Sequence, residues 1–381
     1  MLRAYRTMRR GLAAGVCAVL AACSTPPLQE PAGSVPPPPP GERLPAGVVE
    51  RAGARWIPAA WTDLPDWEAD RTAEAWAAFV RGCERPAPGW SRLCAEALLA
   101  APVPDDTAVR AWFVQRLQPY RVEPLDRPEP EGLITGYFEP LVEASRQPRG
   151  GFRIPLHMSP ADLAQRKPYW TRQQIDTLPV AQAALRGREI AYVADPLDAL
   201  VLQIQGSGRL RITEPDGRQQ VVRVAFAGHN DQPYKSVGRW LIDQGELRAD
   251  AASWPAIREW ARRNPRRVNE MLWSNPRTVF FREEPLPDPT AGPRGAQGVP
   301  LTPERSIAVD PRSVPYGTPV WLDTTEPLSS TPLRRLVMAQ DTGSAIVGAV
   351  RADYFWGPGE MAEQQAGRMK QRLRMWVLAP R

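Results

Sequence analysis

Apolar residues recur at helical spacing over residues 67–79 and 107–117, and a shorter run over 93–99 predicts another helix beyond the turn Pro86-Ala87-Pro88-Gly89. The chain from residue 48 to 126 therefore reads as helical. After Pro128 the period changes. Gly132-Leu133-Ile134-Thr135-Gly136-Tyr137-Phe138 predicts a strand that stops at Glu139-Pro140, and residues 190–194 and 199–205 predict two more, split by a turn at Asp195-Pro196. Residues 254–263 are amphipathic at helical spacing and end at Asn264-Pro265. A Pro/Gly-rich connection over 285–300 leads into a strand-rich region up to Trp356, and residues 361–373 predict a terminal helix. The expected fold class is α+β, mainly strands with helices, and no internal repeat is present.

One predicted strand is informative by its faces. Across residues 202–207, Gln203, Gln205 and Ser207 project to one side, and Leu202 and Ile204 to the other. By periodicity alone this is the solvated face of an antiparallel sheet. The same row of amides and a hydroxyl, followed by glycine, also suits hydrogen bonding to a sugar or peptide.

Composition narrows the class. The 381 residues are 43% hydrophobic and 24% charged, enough for a sizeable core and unlike a disordered polyelectrolyte. The 44 prolines argue against a helix bundle. No apolar run approaches the roughly 20 residues of a membrane-spanning helix, which excludes a polytopic membrane protein. The net charge of +6 includes Arg3, Arg6, Arg9 and Arg10; without them +2 remains, and the case for nucleic acid as a partner fails.

Those arginines precede a short apolar stretch and small residues before Cys23, the organisation of a secretory signal peptide over 1–22. Leu20-Ala21-Ala22-Cys23 resembles the lipobox of bacterial lipoproteins, whose cysteine is acylated and becomes the mature amino terminus. Ser24 resembles the signal for the outer membrane. Residues 23–47 read as a tether, with Pro36-Pro37-Pro38-Pro39-Pro40 suited to polyproline II at about 3.1 Å per residue. The expected location is the periplasmic face of a bacterial outer membrane, anchored by lipid on Cys23.

An exported chain leaves Cys83 and Cys94 as a pair able to staple two helices; two buried thiols are the alternative. His157 and His229 stand at no ligand spacing, so neither zinc nor another cofactor is expected. Gly206-Ser207-Gly208 is not the Gly-x-Ser-x-Gly elbow of serine hydrolases, and His229 in Gly228-His229-Asn230 reads as a surface residue. Asp341-Thr342-Gly343 raises an aspartic protease, but the triplet occurs once and a dyad needs two.

Three segments carry a family likeness: Gly136-Tyr137-Phe138-Glu139-Pro140; Asp195-Pro196-Leu197-Asp198 through Gln203-Ile204-Gln205-Gly206-Ser207-Gly208; and a carboxyl-terminal stretch. The last includes Arg305-Ser306-Ile307-Ala308-Val309-Asp310, Ala339-Gln340-Asp341-Thr342-Gly343 and Arg351-Ala352-Asp353-Tyr354-Phe355-Trp356-Gly357. Together they resemble the membrane-bound lytic murein transglycosylase A family. The resemblance implies a double-psi β-barrel built from residues 48–149 and 286–381, with a smaller β-domain inserted over 150–285. Residues 273–281 would lead back to the barrel.

The same resemblance implies the chemistry: cleavage of the β-1,4 bond between N-acetylmuramic acid and N-acetylglucosamine, by an exo-acting lyase that leaves 1,6-anhydro ends. Asp353 would be the single acid and base, kept protonated near neutral pH by the apolar surroundings of Tyr354, Phe355 and Trp356, and Asp341 would support it. Tyr137, Gln203, Gln205, Ser207 and Trp356 would contact the glycan strand in a groove between the domains. Indole faces suit sugar rings, although most of the 14 tryptophans read as core. Expected partners are peptidoglycan, the membrane through the anchor, and other cell-wall enzymes. A non-catalytic scaffold that binds peptidoglycan is the competing reading.

Overall fold

The computed structural model describes residues 47–100 and 105–381. The segments expected to be a signal peptide and a tether, with Cys23, lie outside the described residues as far as residue 46. In chain order the strands begin with β1 (Val49–Glu50), β2 (Arg55–Pro58), β3 (Leu117–Glu123), β4 (Gly132–Glu139) and β5 (Leu141–Ser145). Next come β6 (Ile154–His157), β7 (Glu189–Val193), β8 (Ser207–Thr213), β9 (Gln219–His229) and β10 (Val279–Pro285). The last are β11 (Ser306–Val309), β12 (Pro319–Thr325), β13 (Pro332–Asp341), β14 (Arg351–Pro358) and β15 (Lys370–Pro380).

They form two sheets. The larger runs β1-β2-β3-β15-β12-β13-β11-β14-β4, and β15 also pairs with β4. One long strand can do both because β15 gives residues 370–373 to β4 and residues 374–377 to β12. Six strands thereby return on themselves as a barrel, with β11–β13 and β14–β4 parallel and the other pairs antiparallel. The smaller sheet runs β10-β9-β8-β5-β7-β6.

Both faces of the barrel wall are buried, and period-two alternation sorts the side chains. Val320, Leu322, Val337, Ala339, Met375 and Val377 fill the barrel, whereas Trp321, Leu336, Met338, Trp376 and Leu378 point outward. The outward set is covered by helices Thr72–Gly82, Ser91–Leu98 and Asp106–Arg116, which bring Trp76, Phe79 and Phe113. Arg305, 2% exposed, ties this layer to the barrel by pairing with Asp70 at 2.9 Å and Glu74 at 2.8 Å. Cys83 and Cys94 form a disulfide with Cα atoms 5.1 Å apart.

Four expectations need correction. Among the described residues, 48–126 hold three α-helices but also β1, β2 and β3. Residues 196–205 are a helix: Asp195 caps it by accepting from Leu197 N at 2.8 Å, Pro196 opens it, and Gly206 at φ +77° closes it. The Gln203, Gln205, Ser207 row therefore does not exist as a strand face. The terminal helix ends at Ala366, and alternating Leu373, Met375 and Val377 belong to β15. Lastly, β5 places residues 141–145 in the smaller sheet, upstream of residue 150, and β10 makes residues 279–281 part of that sheet rather than a return to the barrel.

The sheets meet at Glu139, the last residue of β4 and wholly buried. Arg209 and Arg223 face each other directly across β8 and β9, an arrangement that repels unless an anion lies between. Glu139 supplies it, accepting from Arg209 Nε at 2.8 Å and Arg223 Nε at 2.5 Å. Removing one partner of a buried ion pair typically costs about 3–5 kcal/mol. Glu139→Gln should therefore lower the equilibrium unfolding free energy in urea by that amount. A loss below about 1 kcal/mol would show that the guanidinium groups are satisfied without Glu139.

Candidate active site

Strand register creates the site. Asp341 on β13 pairs with Ala308 on β11, Ala308 with Asp353 on β14, and Asp353 with Thr135 on β4. Residues in register share a face, and a bulge between Ile307 and Ala308 brings Asp341 rather than Gln340 opposite Ala308, so the four form one row across the barrel wall. Strand spacing puts the two aspartates roughly 10 Å apart at Cα, with Ala308 between them. Alternation adds Tyr137 and Phe355 on the same face, their rings 5.1 Å apart.

Asp353 Oδ1 accepts from the Thr135 hydroxyl at 2.6 Å. Arg351 Nη2 in turn donates to Thr135 Oγ1 at 2.9 Å. A guanidinium only donates, so the Thr135 proton is left to point at Asp353. Oδ1 is thereby committed as an acceptor, and a proton on Asp353 resides on Oδ2. Burial drives the Asp353 pKa up to about 6; Thr135 and the Arg351 charge oppose the rise, and Asp341 adds to it.

Asp341 is engaged differently. Its Oδ2 accepts from the Tyr137 hydroxyl at 3.0 Å and its Oδ1 from Ala296 N at 2.9 Å. Burial raises its pKa to about 6 against those bonds. Tyr137 is pushed well above the usual tyrosine range by burial and by both carboxylates, which keeps its hydroxyl a donor. The loop between the aspartates is pinned at both ends. Thr342 Oγ1 donates to Val309 O at 2.8 Å, and Gly348, at φ +122°, donates its N–H to Asp310 at 3.0 Å.

Of the sequence-predicted residues, Asp341, Asp353 and Tyr137 converge. Gln205 joins them indirectly, its Oε1 accepting from Phe138 N at 3.0 Å. Gln203 instead accepts from Arg172 Nη2 at 2.7 Å within the smaller lobe, and Ser207 opens β8. Trp356 lies with Tyr354 on the opposite face from Asp353, rings 4.9 Å apart, against Phe138 and Ala362. On β14 the aromatic ring on the Asp353 face is that of Phe355. Sequence reasoning missed Thr135 and Arg351. Thr135 was accessible, two residues before Tyr137 and so on its face of the same predicted strand.

This architecture has relatives. Residues 133–282 match the MltA specific insert domain and residues 305–379 the 3D domain. The lytic transglycosylase LtgG of Burkholderia pseudomallei is 46% identical over 88% of this chain and 99% of its own, with a TM-score of 0.60. MltA of Neisseria gonorrhoeae is 32% identical over 88% and 96%, with a TM-score of 0.74. The chain belongs to the MltA family. Membrane-bound lytic murein transglycosylase A of Vibrio cholerae is 33% identical, and the match spans 65% of each chain, just under two thirds of that relative's length.

The raised pKa of Asp353 makes a stability prediction. Its ordinary value is 3.8 and its folded value about 6, so ionisation costs stability as pH rises through that window and nothing below it. Asp353→Asn should therefore be more stable than the native chain at about pH 8, by about 1–3 kcal/mol, and equal to it at about pH 3.5. Thermal unfolding at the two pH values checks this. A variant less stable at the higher pH would show that the ionised carboxylate is well solvated.

Proposed function

We propose that this chain is a lytic murein transglycosylase that cuts the β-1,4 bond between N-acetylmuramic acid and N-acetylglucosamine, with Asp353 as its single acid and base. The observation that carries the reading is the unequal state of two neighbouring carboxyls. Asp353 is held protonatable near neutrality with one oxygen uncommitted, whereas both oxygens of Asp341 already accept hydrogen bonds. The names of the relatives, lytic transglycosylases acting on murein, agree with it.

Glycosidases need a second carboxylate, as nucleophile or to activate water. Asp341, with both oxygens occupied, is poorly prepared for either task. The muramic sugar removes the need, because its C6 hydroxyl can attack its own C1. Asp353 gives its Oδ2 proton to the departing glycosidic oxygen as the C1–O bond breaks. The carboxylate so formed takes the proton of the C6 hydroxyl as the C6–O–C1 bond closes. Asp353 ends protonated, ready for another cut, and the product carries a 1,6-anhydro ring. Asp341 holds Tyr137 and the segment at Ala296 around the site. An aspartic-protease reading lacks its dyad: among the described residues no hydrogen bond joins the two carboxyls, and each is bonded elsewhere.

The barrel and the smaller lobe flank the strand, and the lipobox supports a lipid anchor at Cys23, which would keep the enzyme beside the wall. Loss of palmitate labelling and of membrane fractionation in Cys23→Ala checks the anchor; unchanged fractionation would remove it. On purified murein, Asp353→Asn should bind strands and release no anhydro-muropeptides, a fall of about 1,000-fold or more. Asp341→Asn should retain measurable activity at a lower rate. An active Asp353→Asn enzyme would overturn the assignment.

A further inference from the structure

Asn230 is wholly buried and ties together three chain segments at one end of the smaller lobe. Its carbonyl accepts from Tyr169 N at 2.9 Å, and its N–H donates to Thr278 O at 3.0 Å. Its side-chain oxygen accepts from Thr278 N at 2.9 Å, while Nδ2 donates to Trp170 O at 2.9 Å and Pro276 O at 2.8 Å. Gln232 adds a bond from Nε2 to Tyr169 O at 2.8 Å. Each segment carries a cation close to the hub: Lys167, Lys235 and Arg277. Both lysines are exposed and Arg277 is half-buried.

None of the ion pairs among the described residues uses these three cations. Arg277 donates Nε to Gln232 O and Nη1 to Ser344 Oγ, both at 2.8 Å and both to neutral oxygens. His229 lies near two of them: its pKa is lowered first by burial and then by the charges of Arg277 and Lys167, against Asp231, which raises it. Asp231 is thus the one acid that acts on this imidazole, and it forms no ion pair among the described residues. The contrast with Arg209, Arg223 and Arg305, each locked to a carboxylate, is plain.

Position supplies the function. Ser344 belongs to the loop between Asp341 and Asp353, so Arg277 delivers this cationic end of the smaller lobe to the barrel beside the aspartates. Resting on the transglycosylase reading, we infer that Lys167, Lys235 and Arg277 form a subsite for the carboxylates of the peptide stem borne by a muramic residue at Asp353. The stem leaves the sugar at its lactyl ether and carries free carboxylates, the only anions along the strand. A guanidinium can take one through two parallel N–H bonds, and the exposed ammonium groups attract the others over several ångströms. The sugars bind at the barrel and the stem at the lobe, so the enzyme distinguishes murein from an uncharged glycan.

The test separates binding from cleavage. In the full detergent-solubilised chain carrying Asp353→Asn, co-sedimentation compares strands that retain their stems with the same strands stripped by an amidase, which leaves a single lactyl carboxylate on each muramic residue in place of the several of the stem. Stem-bearing strands should bind about 10-fold or more tightly, with a preference that shrinks as salt rises. Lys167→Gln with Lys235→Gln should cut that preference at least threefold, and adding Arg277→Gln should remove it, whereas Arg277→Lys should keep most of it. Equal binding of the two strands, or a preference untouched by the charge-removing variants, would overturn the subsite. Failure of the chain with Asp353 intact to cut either strand would instead overturn the transglycosylase reading, because the binding ratio is read without catalysis.

Discussion

Two arginines facing each other across one antiparallel pair would push β8 and β9 apart, and a single buried carboxylate prevents it. Glu139 sits at the end of β4, the strand that also carries Thr135 and Tyr137. Both arginines, moreover, donate to Ala291 O on the segment returning to the barrel. The charge cluster therefore sets where the smaller lobe stands relative to the strand that builds the site. Desolvating three charges is expensive and is offset because Glu139 accepts from both guanidinium groups and Ala291 O accepts from each as well. The arrangement specifies geometry at least as much as it contributes stability.

From that junction the site follows by sheet geometry. A barrel wall buried on both faces leaves little freedom of register, since a slip of one residue would turn Trp321 and Trp376 into the barrel. The register that satisfies the core, shifted by one residue at the bulge between Ile307 and Ala308, lines up Asp341, Ala308, Asp353 and Thr135. Placing two carboxyls on a crowded wall costs folding free energy, and the raised pKa values are its signature. A proton donor near neutral pH is the chemical return.

Legibility in the sequence followed the strength of local signals. Alternation in 132–138 and the helical period in 254–263 were readable because one face of each is buried and the ends carry Glu-Pro and Asn-Pro stops. The segment 196–205 misled because Leu202, Ile204, Gln203 and Gln205 alternate over a few residues. The Asp195-Pro196 cap and Gly206 stop, three independent helix signals, outweigh that run. Residues 370–380 are partly hidden because a helix and a long strand adjoin with only Gly367, Arg368 and Met369 between them. Thr135 and Arg351 gain their meaning from a contact across more than two hundred residues, which no local pattern encodes. Asp341 and Asp353 stand out through family likeness, not through spacing alone.

In the proposed mechanism one carboxyl suffices because the substrate carries its own nucleophile. The most direct measurement is digestion of purified murein in water enriched in heavy oxygen, with the released muropeptides weighed. The account predicts 1,6-anhydro ends, lighter than reducing ends by one water, with no heavy oxygen incorporated. Reducing-end muropeptides carrying the heavy isotope would show that water attacks C1, that a second group activates it, and that the single-carboxyl mechanism at Asp353 is wrong.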